Sequence, residues 1–276
     1  MRGAMSAPPL PLLRGAFPYR IAAPSFVIPG SYQANAELLA GAVDAVELLF
    51  FESRPGHSLP QRGEIEALGA LARERKLDYL LHLPIDLQLG SVDPAVRAES
   101  RRRLLGVWEL GRSLRPAQVV LHLEPGPLQA EERGDWVARA AAEVEALLAA
   151  GCDPRRLCLE TLDFGVEAPA EVAARCDVRL ALDLGHALRD GLPALELLER
   201  HARRADLLHL HGVAAGRDHL SLEALDSAWL QRLAASLRAQ AFAGVLCIEV
   251  FEAAALARSL QRWEGAWNDP ASQLPS

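Results

Sequence analysis

Short apolar runs rich in leucine, valine and isoleucine alternate along the chain with longer stretches whose apolar residues recur three and four apart. The runs predict buried strands, and the stretches predict amphipathic helices with one inward stripe, as at Ile65, Leu68 and Leu71. Strands are expected at Arg20–Ile28, Asp44–Phe51, Asp78–Leu83, Ala117–Leu123, Arg156–Thr161, Val178–Asp183, Asp206–His211 and Gly244–Val250. Helices are expected at Gln33–Leu39, Glu64–Arg75, Pro94–Leu114, Arg133–Ala150, Pro169–Arg175, Pro193–Arg203, Leu225–Arg238 and Ala254–Trp263. Strict βα alternation builds a parallel sheet covered by helices. The expected class is therefore α/β, a single (β/α)8 barrel over residues 20–265. Residues 1–19 read as a disordered leader, and residues 266–276 as a flexible tail.

Composition narrows the picture. The chain has 276 residues, half of them hydrophobic, enough for one large core without division into domains. Its net charge is −7, and no basic run lies near the strand ends, so a nucleic-acid partner is not expected. The arginines of ESRRRLLGVWELGR and DPRRL fall on helices or helix starts and read as solvated faces. Cys152, Cys158, Cys176 and Cys247 form no CxxC pair and read as reduced thiols of a cytoplasmic protein. The leader's apolar stretch is too short and too broken by prolines for a signal sequence or a membrane span.

The chemistry lies where the runs end. YLLHLP, VVLHLEP, LCLETLD, LALDLGH, LLHLHGV and LCIEVFE stop at His82, His122, Glu160, Asp183 with His186, His211, and Glu249. A lone histidine at a strand end is more often a satisfied core residue than a ligand. A set of this size reverses that balance, because parallel barrel strands bring their C-terminal ends to one mouth. So many ionisable groups side by side would be costly to bury without a cation. Imidazoles and carboxylates without thiolates suit Zn, Mn or Fe, and two or three divalent ions are expected. Glu160 and Glu249 read as the catalytic carboxylates, either able to bridge two ions. Asp183 and His186, across a Gly185 turn, are spaced to reach one ion. HGVAAGRDHLSL places His211, Asp218 and His219 around another, with Asp218 as a further ligand. Ions about 3.5–4 Å apart bind the oxygens of a phosphodiester and lower the pKa of a water to near 7. His209 faces the same side as His211 and reads as its supporting partner or as the ligand itself. His201, at a helix C-terminus, reads as structural.

The order of these ligands along the strands resembles endonuclease IV and the wider xylose-isomerase-like barrels. The matching positions are His82, His122, Glu160, Asp183, His186, His211, His219 and Glu249. The chain departs from that endonuclease in its loop, where Arg217 stands in place of an acid and Asp218 follows it. A narrower resemblance, from about Arg20 to Trp263, rests on SFVIPG, VDAVELLFFE, LHLPIDL, HLHGV followed by DHLSL, and IEVFE. Together these are similar to the cobamide-remodelling phosphodiesterases. The resemblance implies hydrolysis of the nucleotide-loop phosphodiester of a corrinoid. Glu47, Glu52 and Asp86 lie where they read either as bordering the substrate or as hydrogen-bonded rim carboxylates, and His57, in the loop after the second strand, reads as a substrate contact or a plain loop residue. Three alternatives stand beside the phosphodiesterase reading. A sugar or sugar-phosphate isomerase or epimerase would need one ion and Glu160 and Glu249 as its acid–base pair. An abasic-site DNA endonuclease would need basic and aromatic wedges that the acidic chain lacks. A metal- or corrinoid-binding protein without turnover is the third.

Overall fold

The computed structural model describes residues 9–54, 56, 58–123, 132–161 and 166–273. Each apolar run forms a strand and each striped stretch a helix. The order is β1 (Arg20–Pro24), α1 (Tyr32–Leu39), β2 (Ala45–Leu49), α2 (Arg62–Arg75), β3 (Asp78–His82), α3 (Pro94–Gly111) and β4 (Gln118–His122). It continues with α4 (Arg133–Ala149), β5 (Leu157–Thr161), α5 (Glu167–Cys176), β6 (Arg179–Asp183), α6 (Leu184–Arg189), α7 (Ala194–His201) and β7 (Ala205–Leu210). The chain closes with β8 (Gly212–Ala214), β9 (Arg217–Leu220), α8 (Ser227–Ala239), β10 (Val245–Ile248) and α9 (Ala253–Asn268). Eight parallel strands form a closed barrel in the order β1-β10-β7-β6-β5-β4-β3-β2, and β8 pairs with β9 as a separate hairpin. The fold is the expected (β/α)8 barrel.

Side chains alternate across each strand, so one set packs outward under the helices and the other fills the lumen. The lumen set is Ala22, Ala45, Leu80, Val120, Cys158, Ala181, Leu207, Val245 and Cys247, all fully buried. Helix starts follow local chemistry. Ser31, Asp93 and Asp226 accept backbone N–H bonds at the starts of α1, α3 and α8.

Four features differ from the sequence expectation. β1 ends at Pro24 instead of Ile28; the Ser25 amide still bonds the Glu47 carbonyl at 2.9 Å, and the side chain of Asn35 then accepts from Val27 N at 2.9 Å and Ile28 N at 3.0 Å. The leader is not disordered over residues 9–19. Leu13 is buried, its N–H bonds the Ala42 carbonyl at 2.9 Å, and Phe17 stacks on Tyr19 at 5.3 Å. The tail is ordered through residue 273. Trp267 meets Tyr19 edge-on at 5.1 Å, and Arg238 lies 3.7 Å above the Trp267 ring. The leader's apolar and aromatic residues thus find partners at the N-terminal end of the barrel; proline breaks secondary structure without preventing such packing. Finally, α6 and the β8–β9 hairpin were not expected. Both are too short to show a period, and both sit at the mouth.

Candidate active site

Stepping two residues along each strand from the lumen set moves one pleat toward the C-terminal mouth. Leu80 leads to His82, Val120 to His122, Cys158 to Glu160, Ala181 to Asp183, Cys247 to Glu249, and Leu207 to His209 and then His211. The parallel register sets His122 opposite Glu160 and Asp183 opposite His209. Glu249 continues β10, its N–H bonded to the Leu210 carbonyl at 3.0 Å. Six strands therefore deliver their polar side chains to one funnel.

His82, His122 and Glu160 form one convergence, their ligand atoms within 4.8 Å of one another. His82 Nδ1 lies 2.9 Å from the Leu83 carbonyl. The tautomer that makes this bond turns the Nε2 lone pair toward Glu160 Oε2 at 3.3 Å and His122 Nε2 at 3.0 Å. His122 Nε2 also contacts Glu160 Oε2. Burial acts to raise the Glu160 carboxyl, but the facing imidazoles of His122 and His209 outweigh it and hold the group well below the usual range.

A second convergence joins Asp183, His211 and Glu249, and a third joins His186, His211 and His219. Asp183 caps α6, accepting from His186 N at 2.7 Å, and its other oxygen lies 3.0 Å from His186 Nδ1. The expected Gly185 turn is thus the first turn of a helix. Instead of meeting at one point, Asp183 and His186 fall in neighbouring sets that share His211. The His219 imidazole, pushed down to about 4 by burial and then by the neighbouring His211, is neutral at pH 7. Burial raises the Glu249 carboxyl. His209 pulls it back, but Asp183, Glu47 and Glu160 reinforce the rise, leaving it well above the usual range. Asp218 borders the three-imidazole set on the His186 side. Its Oδ2 accepts from Arg189 at 2.8 Å and lies 3.4 Å from His186 Nε2. A ligand role for Asp218 competes with Arg189, a residue of α6 with no part in the sequence expectation.

Gly185 is required by close approach, since a Cβ at this position would overlap the His211 ring. Gly185→Ala is expected to swing His211 out of both sets while the barrel still folds. Metal analysis of the purified variant should show at least one ion fewer than wild type at equal loading; an unchanged complement would remove His211 from the ligand set.

Beneath the mouth, His209 bridges two carboxylates. Its Nδ1 lies 2.5 Å from Glu160 Oε1 and its Nε2 lies 3.2 Å from Glu47 Oε1; Cys247 Sγ donates to Glu47 Oε2 at 3.2 Å. All four residues are buried. Burial lowers the imidazole of His209, yet Glu47, Glu160 and Glu249 overcome this and raise it well above the usual value. His209 is therefore an imidazolium with both nitrogens committed to carboxylates, and His211 carries the free Nε2. Glu47, expected at the substrate border, instead lies under the site on the lumen side of β2. The strand alternation Ala45, Glu47 contained that signal. Asp86 does lie on the rim, where its carboxylate accepts from Ser53 N and Oγ at 2.9 Å each and ties the loops after β2 and β3 together. Glu52 is exposed in the same region, and its N–H donates to Ser58 Oγ at 2.8 Å. His57 lies outside the described residues.

Divalent ions fit this donor set. Glu160 Oε2, Asp183 Oδ2 and His211 Nε2 are buried and, despite close imidazole or carboxylate neighbours, make no hydrogen bond of good geometry among the described residues, a condition that ordinarily costs free energy. Each points into a convergence of nitrogen and oxygen donors that suits Zn, Mn or Fe.

The architecture recurs among solved structures. A D-tagatose 3-epimerase-like protein superposes with a TM-score of 0.73 at 19% identity, covering 90% of this chain and 98% of its own. D-psicose 3-epimerase from Clostridium cellulolyticum H10 gives 0.65 at 14%, covering 92% and 93%. The probable 3-DHS dehydratase AsbF from Bacillus anthracis gives 0.65 at 13%, covering 90% and 99%. At these identities the likeness is one of fold. No curated protein sequence matches the chain. The model of the xylose isomerase-like TIM barrel family matches residues 37–266, the span that carries every histidine- and acid-bearing strand end of the funnel, and the chain belongs to that family.

Proposed function

We propose that this protein is a metal-dependent phosphodiesterase that hydrolyses the nucleotide-loop phosphodiester of cobamides. One observation carries the reaction class. Asp183, His211 and Glu249 already form a set for one ion, and the site adds His82 and His122 around Glu160, and His186 and His219 around His211. A one-ion isomerase has no use for these extra imidazoles. Bound divalent ions supply Lewis-acid stabilisation of the phosphate oxygens and a water of lowered pKa. The protein's part is orientation. His209 fixes one oxygen of Glu160 so that the other faces His82 and His122, Asp183 is fixed as the cap of α6, and His82 is fixed by the Leu83 carbonyl. The substrate follows from the resemblance of SFVIPG, HLHGV with DHLSL, and IEVFE to the cobamide-remodelling phosphodiesterases.

A second reading is a sugar epimerase, favoured by the similarity to D-tagatose-type and D-psicose 3-epimerase structures. Glu160 and Glu249 would then be its acid–base pair. Incubation of the metal-analysed protein with adenosylcobalamin, with pseudocobalamin and with ketoses, followed by mass spectrometry and sugar chromatography, separates the two. Release of a lower-ligand nucleoside or nucleotide, abolished by chelator and restored by metal, is the expected result. Ketose interconversion without corrinoid cleavage would replace it with the epimerase reading.

A further inference from the structure

The polar arc of the mouth is incomplete. Among the described residues, no cluster-forming side chain comes from β1, and Glu47 of β2 lies beneath the site. Continuing the lumen-facing parity of three neighbouring strands past their ends gives a phenylalanine each time: Phe251 after β10, Phe26 after β1 and Phe51 after β2. Ring contacts agree with that placement. Phe51 meets His82 edge-on at 5.2 Å, Phe251 lies 4.8 Å from His219, and Phe26 lies 6.5 Å from Phe51. Phe251 is 39% exposed, and Phe26 and Phe51 are half-buried, so all three reach solvent.

This sector is also braced. The buried Asn35 accepts from Val27 N and Ile28 N and donates to the Ile28 carbonyl at 3.1 Å, which fixes the chain just after Phe26. Asp86 grips Ser53, two residues past Phe51. The Tyr32 hydroxyl lies 2.6 Å from the Leu49 carbonyl, just before it. A pre-ordered surface binds without paying the entropy of ordering itself.

We propose that the β10–β1–β2 sector is a seat for a planar aromatic or heteroaromatic group attached to the phosphate that the imidazole–carboxylate arc receives. This rests on the phosphodiesterase reading and extends it to substrate selection. A sugar offers a phenyl face only its C–H groups and must turn its hydroxyls elsewhere to keep their hydrogen bonds. A flat conjugated ring stacks there instead, and the base of a nucleotide is such a group. Stacking on an aromatic side chain strengthens binding by about 5- to 150-fold per base.

The test is isothermal titration of the metal-loaded protein with adenosine 5′-monophosphate and with ribose 5-phosphate, which share the phosphate and differ in the base. The nucleotide is expected to bind at least ~10-fold tighter. Phe26→Leu and Phe251→Leu, which keep apolar bulk without a π-face, should each bring the ratio of the two affinities toward one, with folding checked by thermal melting. Phe26 touches no imidazole of the arc, so its variant separates stacking from any effect on metal. Equal affinities in wild type, or variants that weaken both ligands in proportion, would overturn the seat and leave the phosphodiesterase reading standing. If neither phosphate binds, that reading falls and takes the seat with it.

Discussion

Metal-loaded Glu160→Gln protein is expected to keep the wild-type fold and to lose turnover by about 10²–10³-fold or more. Glu160 holds opposite oxygens to different tasks. Oε1 is bound by His209 at 2.5 Å, while Oε2 is buried against the Nε2 atoms of His82 and His122 and makes no hydrogen bond of good geometry among the described residues. Glutamine has nearly the same shape, so the lumen packing around it is undisturbed and its amide oxygen still accepts from His209. The lost property is the negative charge among three imidazoles. The loss should appear as a reduced metal complement as well as reduced turnover, and near-UV circular dichroism should stay as in wild type. Wild-type turnover with a full complement of metal would sink the role given to this carboxylate.

The barrel was legible because its information is repeated. Eight apolar runs alternating with striped helices leave few closed arrangements, and each strand carries its own evidence of burial. The ligand arc was legible for a related reason. A histidine or acid that ends an apolar run sits at the mouth of a parallel barrel whatever the loops do, and His82, His122, Glu160, Asp183, His211 and Glu249 all arrive there. The environment of each group was not legible. Glu47 and Asp86 are both acids near strand ends, yet one is buried under the site and the other braces a loop. Telling them apart requires the parity of the side chain relative to the lumen. Asp218 follows the same lesson, since its pairing with Arg189 depends on α6, a helix too short to announce itself by period. The three phenylalanines at the mouth were hidden by their number. Few aromatics in the whole chain gave no reason to expect that three would meet.

Removing one partner from the charged layer under the mouth should be strongly destabilising. In chelator-treated protein, His209→Leu is expected to cost about 3–5 kcal/mol in urea unfolding, because it leaves the buried Glu47 and Glu160 without their shared cation. Glu47→Leu alone should also be costly, since it removes one of the two carboxylates that hold the imidazolium in a fully buried position. The double variant should recover part of the loss, because an apolar pair replaces His209 and Glu47 and only Glu160 is left without the imidazolium. The pH dependence has a fixed sign. The imidazole of His209 is raised, so its stabilisation is complete below the ordinary histidine value of about 6.5 and disappears as pH climbs through the raised one. Burial raises Glu47, but His209 outweighs it and the carboxyl ends lowered; its contribution is present above the ordinary value of about 4.3 and is lost as pH falls through the folded one. Metal-free wild-type protein should therefore be most stable between these limits, and the double variant should lose much of both slopes. Purely additive single-variant losses, or an unchanged pH profile in the double variant, would mean that the two groups do not act as a pair. Coupling of the expected size would show that His209 and Glu47 act as a pair beneath the mouth before any metal arrives.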